Sequence, residues 1–299
     1  MKIGIIGGGS IGLLFSCYLS ENHQVTLYCR TINQVNMINQ CGITLQKKDS
    51  SILSNIHAKL STERVADELV LVTVKQYHLP ELLPILDKIP QHIPLLFLQN
   101  GMGHLDYLQK MKHDNILLGV VEHGALKISL STVKHTGFGT TRVAAYKGDM
   151  QKLMAIKNTL QMSNFPFEIE ANYNEMLIRK LVVNAAINPL TALLRIKNGD
   201  LLSNNYYFEL LKEVFQEIIQ VLCLQELEDT YFASIVSICQ STSNNYSSML
   251  KDILEHRQTE IEGIVGVLRN KAEIQKQSVP FLQFLYTSIK GMEYKRWDE

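Results

Sequence analysis

Lys180, Asn184 and Asn188 stand four residues apart in a segment that is otherwise almost wholly apolar, Arg179-Lys180-Leu181-Val182-Val183-Asn184-Ala185-Ala186-Ile187-Asn188-Pro189. On an α-helix that spacing stacks the three polar side chains nearly one above the other. The apolar residues between them mark a helix buried on most sides. A buried lysine and two buried amides are costly without partners. A bound molecule that takes a proton and several hydrogen bonds is one such partner. The plainer reading is a lysine that reaches solvent and amides engaged in internal contacts. Pro189 disfavours helical geometry at Asn188, so the helix is expected to kink or end there and to turn Asn188 toward an open site.

A second polar group falls in the C-terminal third. The run Asn244 to Lys271 reads as one helix. In that register Glu260 shares an apolar stripe with Ile253, Ile264 and Val267. A carboxylate on an inward face needs a partner, either Lys180 or a ligand hydroxyl. The group Asn245-Tyr246-Ser247-Ser248 at the start of the run is read either as an N-cap or as further ligand contacts.

The N-terminus says what else is bound. An apolar run, Lys2 to Ile6, leads into Gly7-Gly8-Gly9-Ser10-Ile11-Gly12 and then a helical segment. This is GxGxxG in the context its chemistry requires. Gly7 permits the tight turn, Gly9 lets the backbone approach a pyrophosphate, and Gly12 lets the helix lie close on the strand. The helix N-terminus offers N–H groups and the positive end of its dipole. Eighteen residues after Gly12, at the end of the second strand, stands Arg30. NAD enzymes usually place a carboxylate there for the ribose 2′-hydroxyl, whereas a guanidinium can grip a 2′-phosphate. NADPH/NADP+ is therefore the expected cofactor. Two further strand ends point to the same crevice: Val72-Thr73-Val74 ends in Lys75, and Leu95 to Leu98 runs into Gln99-Asn100-Gly101-Met102-Gly103. A solvated lysine and a simple turn are the plain alternatives for Lys75 and Asn100.

The elements that must position these residues fall into two halves. Strand-like runs at 2–6, 24–28, 68–74 and 94–98 alternate with helical segments at 11–19, 79–89 and 104–111. That alternation predicts a parallel sheet built from βαβ units. Glycine, threonine and β-branched residues from Ile116 to Ala145 predict antiparallel strands closing one edge of it. Pro166 and the run to Asn174 mark the junction. Beyond it the periodicity is helical, through 206–227, 231–238 and 244–271. The expected fold is α/β: a Rossmann-type domain over residues 1–168 with an antiparallel extension, then an all-α domain over 169–299.

Composition narrows the function class. The chain has 299 residues, 46% apolar and 19% charged, with 29 basic and 29 acidic residues balancing to zero. A neutral chain has no general electrostatic footprint for nucleic acid or an acidic membrane. No apolar stretch is expected to span a membrane, and no signal peptide is visible. The five cysteines, Cys17, Cys29, Cys41, Cys223 and Cys239, are odd in number and scattered. They read as free thiols packed as small core hydrophobes, in a reducing and hence cytoplasmic setting. No metal site is expected.

Taken in order, these motifs resemble the ketopantoate reductase (2-dehydropantoate 2-reductase) family. The resemblance rests on Gly7–Gly12, Arg30, the Lys75 strand end and Asn100-Gly101-Met102-Gly103. It rests more specifically on Arg179-Lys180-Leu181 through Asn184 to Asn188-Pro189-Leu190-Thr191-Ala192, and on Ser247-Ser248-Met249-Leu250-Lys251-Asp252-Ile253 followed by Thr259-Glu260-Ile261. It spans essentially the whole chain, with departures in loops such as Glu122-His123-Gly124 and in the tail after Trp297. It implies NADPH-dependent reduction of 2-dehydropantoate to (R)-pantoate, in pantothenate and coenzyme A biosynthesis. Lys180 would be the general acid, with Glu260 and Ser248 helping to hold the substrate. Asn100, Asn184, Asn188 and Asn245 would line the site. The implied partner is a small 2-oxoacid; a homodimer stays open. Two rival readings fit the same residues: a reductase of another small 2-oxo or 3-hydroxy acid, and a non-catalytic NADP(H)-binding sensor.

Overall fold

The computed structural model describes residues 1–162 and 164–294; the tail after Trp297 lies outside them. The chain forms two compact units, Met1–Gln99 with Leu105–Met176, and Asn100–His104 with Leu177–Glu299. The division thus falls inside a helix after Met176, not at 168, and assigns five residues around Asn100 to the helical unit. The first turn of that helix stays with the sheet unit, where the Tyr173 ring packs edge-on to Tyr146 at 5.1 Å.

The sheet unit runs β1 (Lys2–Ile6), α1 (Ser10–Leu19), β2 (Gln24–Cys29), α2 (Ile32–Cys41), β3 (Ile43–Gln46), β4 (Ser51–Ser54), β5 (His57–Leu60) and β6 (Leu69–Val72). It continues with α3 (Leu79–Leu86), β7 (Leu95–Phe97), α4 (Leu105–Leu108), β8 (Ile116–Val121), β9 (Gly124–Lys127), β10 (Thr132–Gly137), β11 (Thr141–Lys147), α5 (Met150–Leu160) and β12 (Phe167–Ile169). Eight strands form one sheet in the order β12-β11-β8-β7-β6-β1-β2-β5. From β5 to β8 every pair is parallel. β6 is buried along its whole length and β1 everywhere but its first residue. Their unbroken apolar runs are what a sheet covered on both faces requires.

The antiparallel extension differs from the expectation in part. β11 does pair antiparallel with β8, and the edge beyond it is formed by β12, parallel to β11. β9 and β10, however, leave the main sheet and join β3 and β4 in a second, four-stranded sheet ordered β4-β3-β10-β9. The reason is α1, which packs on β1 and β2 and also on β3, β9 and β10. Its burial is nearly all-round from Gly12 to Leu19, so both of its faces need a cover.

The helical unit comprises α6 (Tyr173–Leu194) beyond its first turn, then α7 (Asp200–Ser203), α8 (Asn205–Leu222), α9 (Glu228–Ser241), α10 (Ser248–Leu254), a π-helical turn at Glu262–Gly266, α11 (Val267–Gln275) and α12 (Pro280–Tyr294). α6 is its central element: every residue from Leu181 to Ala192 is buried. With 22 residues it is long and apolar enough to cross a membrane, contrary to the sequence expectation, yet 72% of its most apolar window is buried in the protein. Of the cysteines, Cys17, Cys29 and Cys239 are core residues as expected, whereas Cys41 and Cys223 are exposed.

Candidate active site

In the sheet unit, strand order reverses between β1 and β6, and such switch points are where open α/β sheets bind ligands. The glycine loop follows β1 at this point. Gly7 adopts φ +119°, and a Cβ on Gly12 would lie 1.8 Å from the Gly7 carbonyl oxygen, so neither position accepts a side chain. Thr73, just past β6, braces the turn: its Oγ1 is 3.0 Å from the carbonyl oxygens of both Ile6 and Gly7. Beyond Gly9 there is open space, with nothing within 4 Å of where a Cβ would be. No side chain caps α1, so its first-turn N–H groups are left for an anion. A braced, open cradle at an uncapped helix start fits a dinucleotide pyrophosphate.

Arg30 follows the last residue of β2 and is exposed; Lys75 lies at the end of the β6 segment and is half-buried. His78, one turn beyond Lys75, connects the two. Burial pushes its imidazole below the ordinary range, the Arg30 cation adds to this, Glu81 at 3.9 Å opposes it, and Lys75 acts with Arg30. Two contacts to the loop had no sequence signal. Gln34 Nε2 and Lys127 Nζ each donate to the Gly8 carbonyl oxygen at 2.8 Å, from 26 and 119 residues away.

In the helical unit, Lys180, Asn184 and Asn188 lie on α6 in the expected row. Lys180 is half-buried rather than buried, and Asn184 and Asn188 are 8% and 7% exposed. The expected helix end at Asn188 does not occur, because α6 continues through Pro189 to Leu194. Proline removes one backbone donor; burial of Leu190, Thr191 and Ala192 holds the helix together past it. The Thr191 hydroxyl lies 2.9 Å and 3.1 Å from the carbonyl oxygens of Ile187 and Asn188, and 2.8 Å from Ser247 Oγ.

Of the two serines, Ser247 is the helix cap. Ser247 is buried and caps α10, accepting from the Leu250 N–H at 3.1 Å. Ser248 is exposed in the first turn, and Asn245 is exposed in the preceding loop.

Glu260 is inward, at 7% exposure, but not for the reason expected. The run from Asn244 to Lys271 is not one helix. α10 stops at Leu254, His256 turns left-handed at φ +57°, and the Arg257 N–H returns to the Asp252 carbonyl at 2.8 Å. This is the closing pattern of a helix C-terminus with histidine in the place glycine usually takes. Glu260 therefore sits in the loop that enters the π-helical turn. Thr259 fixes that loop: its N–H and hydroxyl both donate to Glu293 Oε1 of α12, at 2.8 Å and 2.6 Å.

Asn100 joins this loop. Its Nδ2 donates to Glu260 Oε2 at 2.9 Å, and the Met102 N–H donates to the Gly263 carbonyl at 3.0 Å. Gly101 between them has φ +76°, and a Cβ there would fall 2.0 Å from the Gly263 carbonyl oxygen. Two sequence motifs 160 residues apart thus form one surface. The Asn100 amide thus holds the Glu260 carboxylate in place, and Lys180 stands on α6 of the same unit.

Comparison with known proteins identifies the family. The family model described as Ketopantoate reductase PanE/ApbA matches residues 3–148, and its C-terminal counterpart matches residues 172–293. The 2-dehydropantoate 2-reductase of Listeria monocytogenes is 40% identical over 299 residues, covering 98% of this chain and 97% of that protein. The crystal structure of the probable 2-dehydropantoate 2-reductase of Bacillus subtilis superposes with a TM-score of 0.88 at 40% identity, over 98% of this chain and 100% of that one. A D-mandelate dehydrogenase solved with NADH and anilino(oxo)acetate shares the fold, with a TM-score of 0.90 at 24% identity over 99% of each chain. The two family matches in sequence order, and the 40% identity along nearly the full length of both chains, place this protein in the ketopantoate reductase family.

Proposed function

We propose that this chain is a 2-dehydropantoate 2-reductase that uses NADPH to form (R)-pantoate. The observation that carries the reading is the hydrogen bond from Asn100 to Glu260, which unites the strand-end motif with the C-terminal motif on one surface. Full-length identity of 40% to a named 2-dehydropantoate 2-reductase supports it.

A bound nicotinamide supplies the hydride; the chain supplies everything else. Hydride arrival at the 2-oxo carbon leaves negative charge on its oxygen. The Lys180 ammonium stabilises that charge and donates the proton. Glu260, held by Asn100, orders the substrate through a hydroxyl. Asn184 and Asn188 add amide contacts from the same face of α6 as Lys180, with Asn245 from the loop before α10 and Ser248 from its first turn as further contacts. Gly7 to Gly12 cradle the pyrophosphate, and Arg30 with Lys75 favours the 2′-phosphate of NADPH over the bare hydroxyl of NADH.

A second reading is reduction of a different 2-oxoacid, favoured by the fold shared with a D-mandelate dehydrogenase. Initial rates of nicotinamide oxidation with 2-dehydropantoate and with smaller and aromatic 2-oxoacids separate the two. The first reading expects 2-dehydropantoate to have the highest kcat/KM. Turnover of none of them would leave only a binding protein for the nucleotide.

A further inference from the structure

The Gly8 carbonyl is held from behind by two side chains that belong to no nucleotide-binding motif. Gln34 is buried on α2, and both hydrogen bonds of its amide nitrogen are fixed: one to the Gly8 oxygen at 2.8 Å, the other to the Leu130 carbonyl at 2.8 Å. Lys127 ends β9 and reaches the same Gly8 oxygen at 2.8 Å. The Gly8–Gly9 peptide is planar and trans, so its N–H points opposite to its carbonyl. With the carbonyl drawn toward Gln34 and Lys127, the Gly9 N–H is aimed away from them. Gly9 is the residue with open space in front of it.

We infer that Gln34 and Lys127 form a clamp that sets the Gly8–Gly9 peptide and presents its N–H to the cofactor pyrophosphate. They are positioning residues, acting through the loop. The lysine also places a positive charge close to it. The same charge is felt at Cys29, the last residue of β2, where it works against the burial that pushes that thiol up to about 11. The inference rests on the nucleotide reading of the loop and extends it to residues outside the fingerprint. It also gives the small second sheet a task, since β9 is one of its strands. The pyrophosphate is common to NADPH and NADH, so the clamp serves both equally, unlike Arg30.

The test is calorimetric titration of wild type, Lys127→Met, Lys127→Arg and Gln34→Met with NADPH, NADH, ADP-ribose and 2′-AMP. ADP-ribose carries the pyrophosphate; 2′-AMP carries the 2′-phosphate without it. Lys127→Met is expected to weaken NADPH, NADH and ADP-ribose by one common factor of roughly 10- to 100-fold, the loss of a charge-assisted hydrogen bond. Binding of 2′-AMP should stay within about twofold of wild type, and Lys127→Arg should recover much of the loss. Gln34→Met should repeat the pattern if Lys127→Met does not fold. Wild-type affinity of Lys127→Met for ADP-ribose overturns the clamp. Loss of NADPH and 2′-AMP with NADH unchanged also overturns it and makes Lys127 a reader of the 2′-phosphate. Failure of the wild type to bind any dinucleotide sinks the nucleotide reading itself, and the clamp with it.

Discussion

Arg30 and Lys180 are both cations, but they stand in different surroundings. Arg30 stands exposed at a strand end, where a guanidinium keeps its hydration until a phosphate replaces it. Losing such a charge-assisted contact costs about 1.5–3 kcal/mol. Arg30→Ala is therefore expected to weaken NADPH binding by roughly 10- to 200-fold and to leave NADH nearly unchanged. Fluorescence titration with both nucleotides checks this, and a wild-type preference for NADH would remove the basis for it. Lys180 is half-buried, just before the stretch of α6 from Leu181 to Ala192 that is buried throughout. In the proposed role of general acid it would act in the transition state, where such a group contributes roughly 10²–10⁴-fold. Lys180→Ala should lose about that much in kcat with NADPH affinity near wild type. Glu260→Ala should change substrate KM and kcat together, and the double variant should lose less than the product of the two. Retention of more than about a tenth of wild-type kcat by Lys180→Ala at saturating substrate would assign the proton to another donor.

Between residue and fold lie the turns that set Asn100 against Glu260. The loop Asn100–Met102 is fastened to the π-helical turn by one side-chain and one backbone hydrogen bond, across a glycine with no room for a Cβ. Gly101→Ala must shift that contact and hold a positive φ, which costs on the order of 1–3 kcal/mol. The expected result is a melting temperature lower by several degrees and a raised substrate KM, read by thermal unfolding and steady-state kinetics. Unchanged values for both would mean that the loop does not need this seat. The helix break before Glu260 was not legible in the sequence because His256 takes the left-handed place where glycine would have announced it. The Ser247 cap was legible as one of two options, and only the bond it accepts from the Leu250 N–H selects it. Glu293 left no trace at all: a carboxylate near the end of the last helix acquires meaning only when Thr259 folds back onto it.

Across the whole molecule, several histidines are buried in apolar surroundings rather than placed at the chemistry. His123 stacks on Phe165 at 4.2 Å, next to His135, whose Nδ1 is 2.8 Å from the Tyr18 hydroxyl. Burial, helped by the neighbouring His135, pushes His123 down to about 4; burial alone does the same to His104. The ordinary value in an unfolded chain is about 6.5. Between these values the unfolded chain binds more protons than the folded one, so stability is full above about pH 6.5 and falls as the pH drops toward 4. His123→Phe keeps the stacking and removes one such proton. Its urea midpoint should therefore fall less than that of wild type between pH 7 and pH 5, by the equivalent of about 1–2 kcal/mol. Parallel pH dependences for the two proteins would show that His123 is not the group being protonated. What the sequence determined by itself was local or periodic: the glycine loop after a strand, Arg30 at the next strand end, the four-residue row on α6, the alternation that makes a parallel sheet. Each is fixed by backbone geometry over a few residues, so residue order is enough to read it. The second sheet, the break before Glu260, the Gly8 clamp and the pairing of Asn100 with Glu260 were decided only by tertiary structure. They join residues separated by up to 160 positions, and which of many polar side chains finds which partner depends on how the buried surfaces of α1 and α6 are covered.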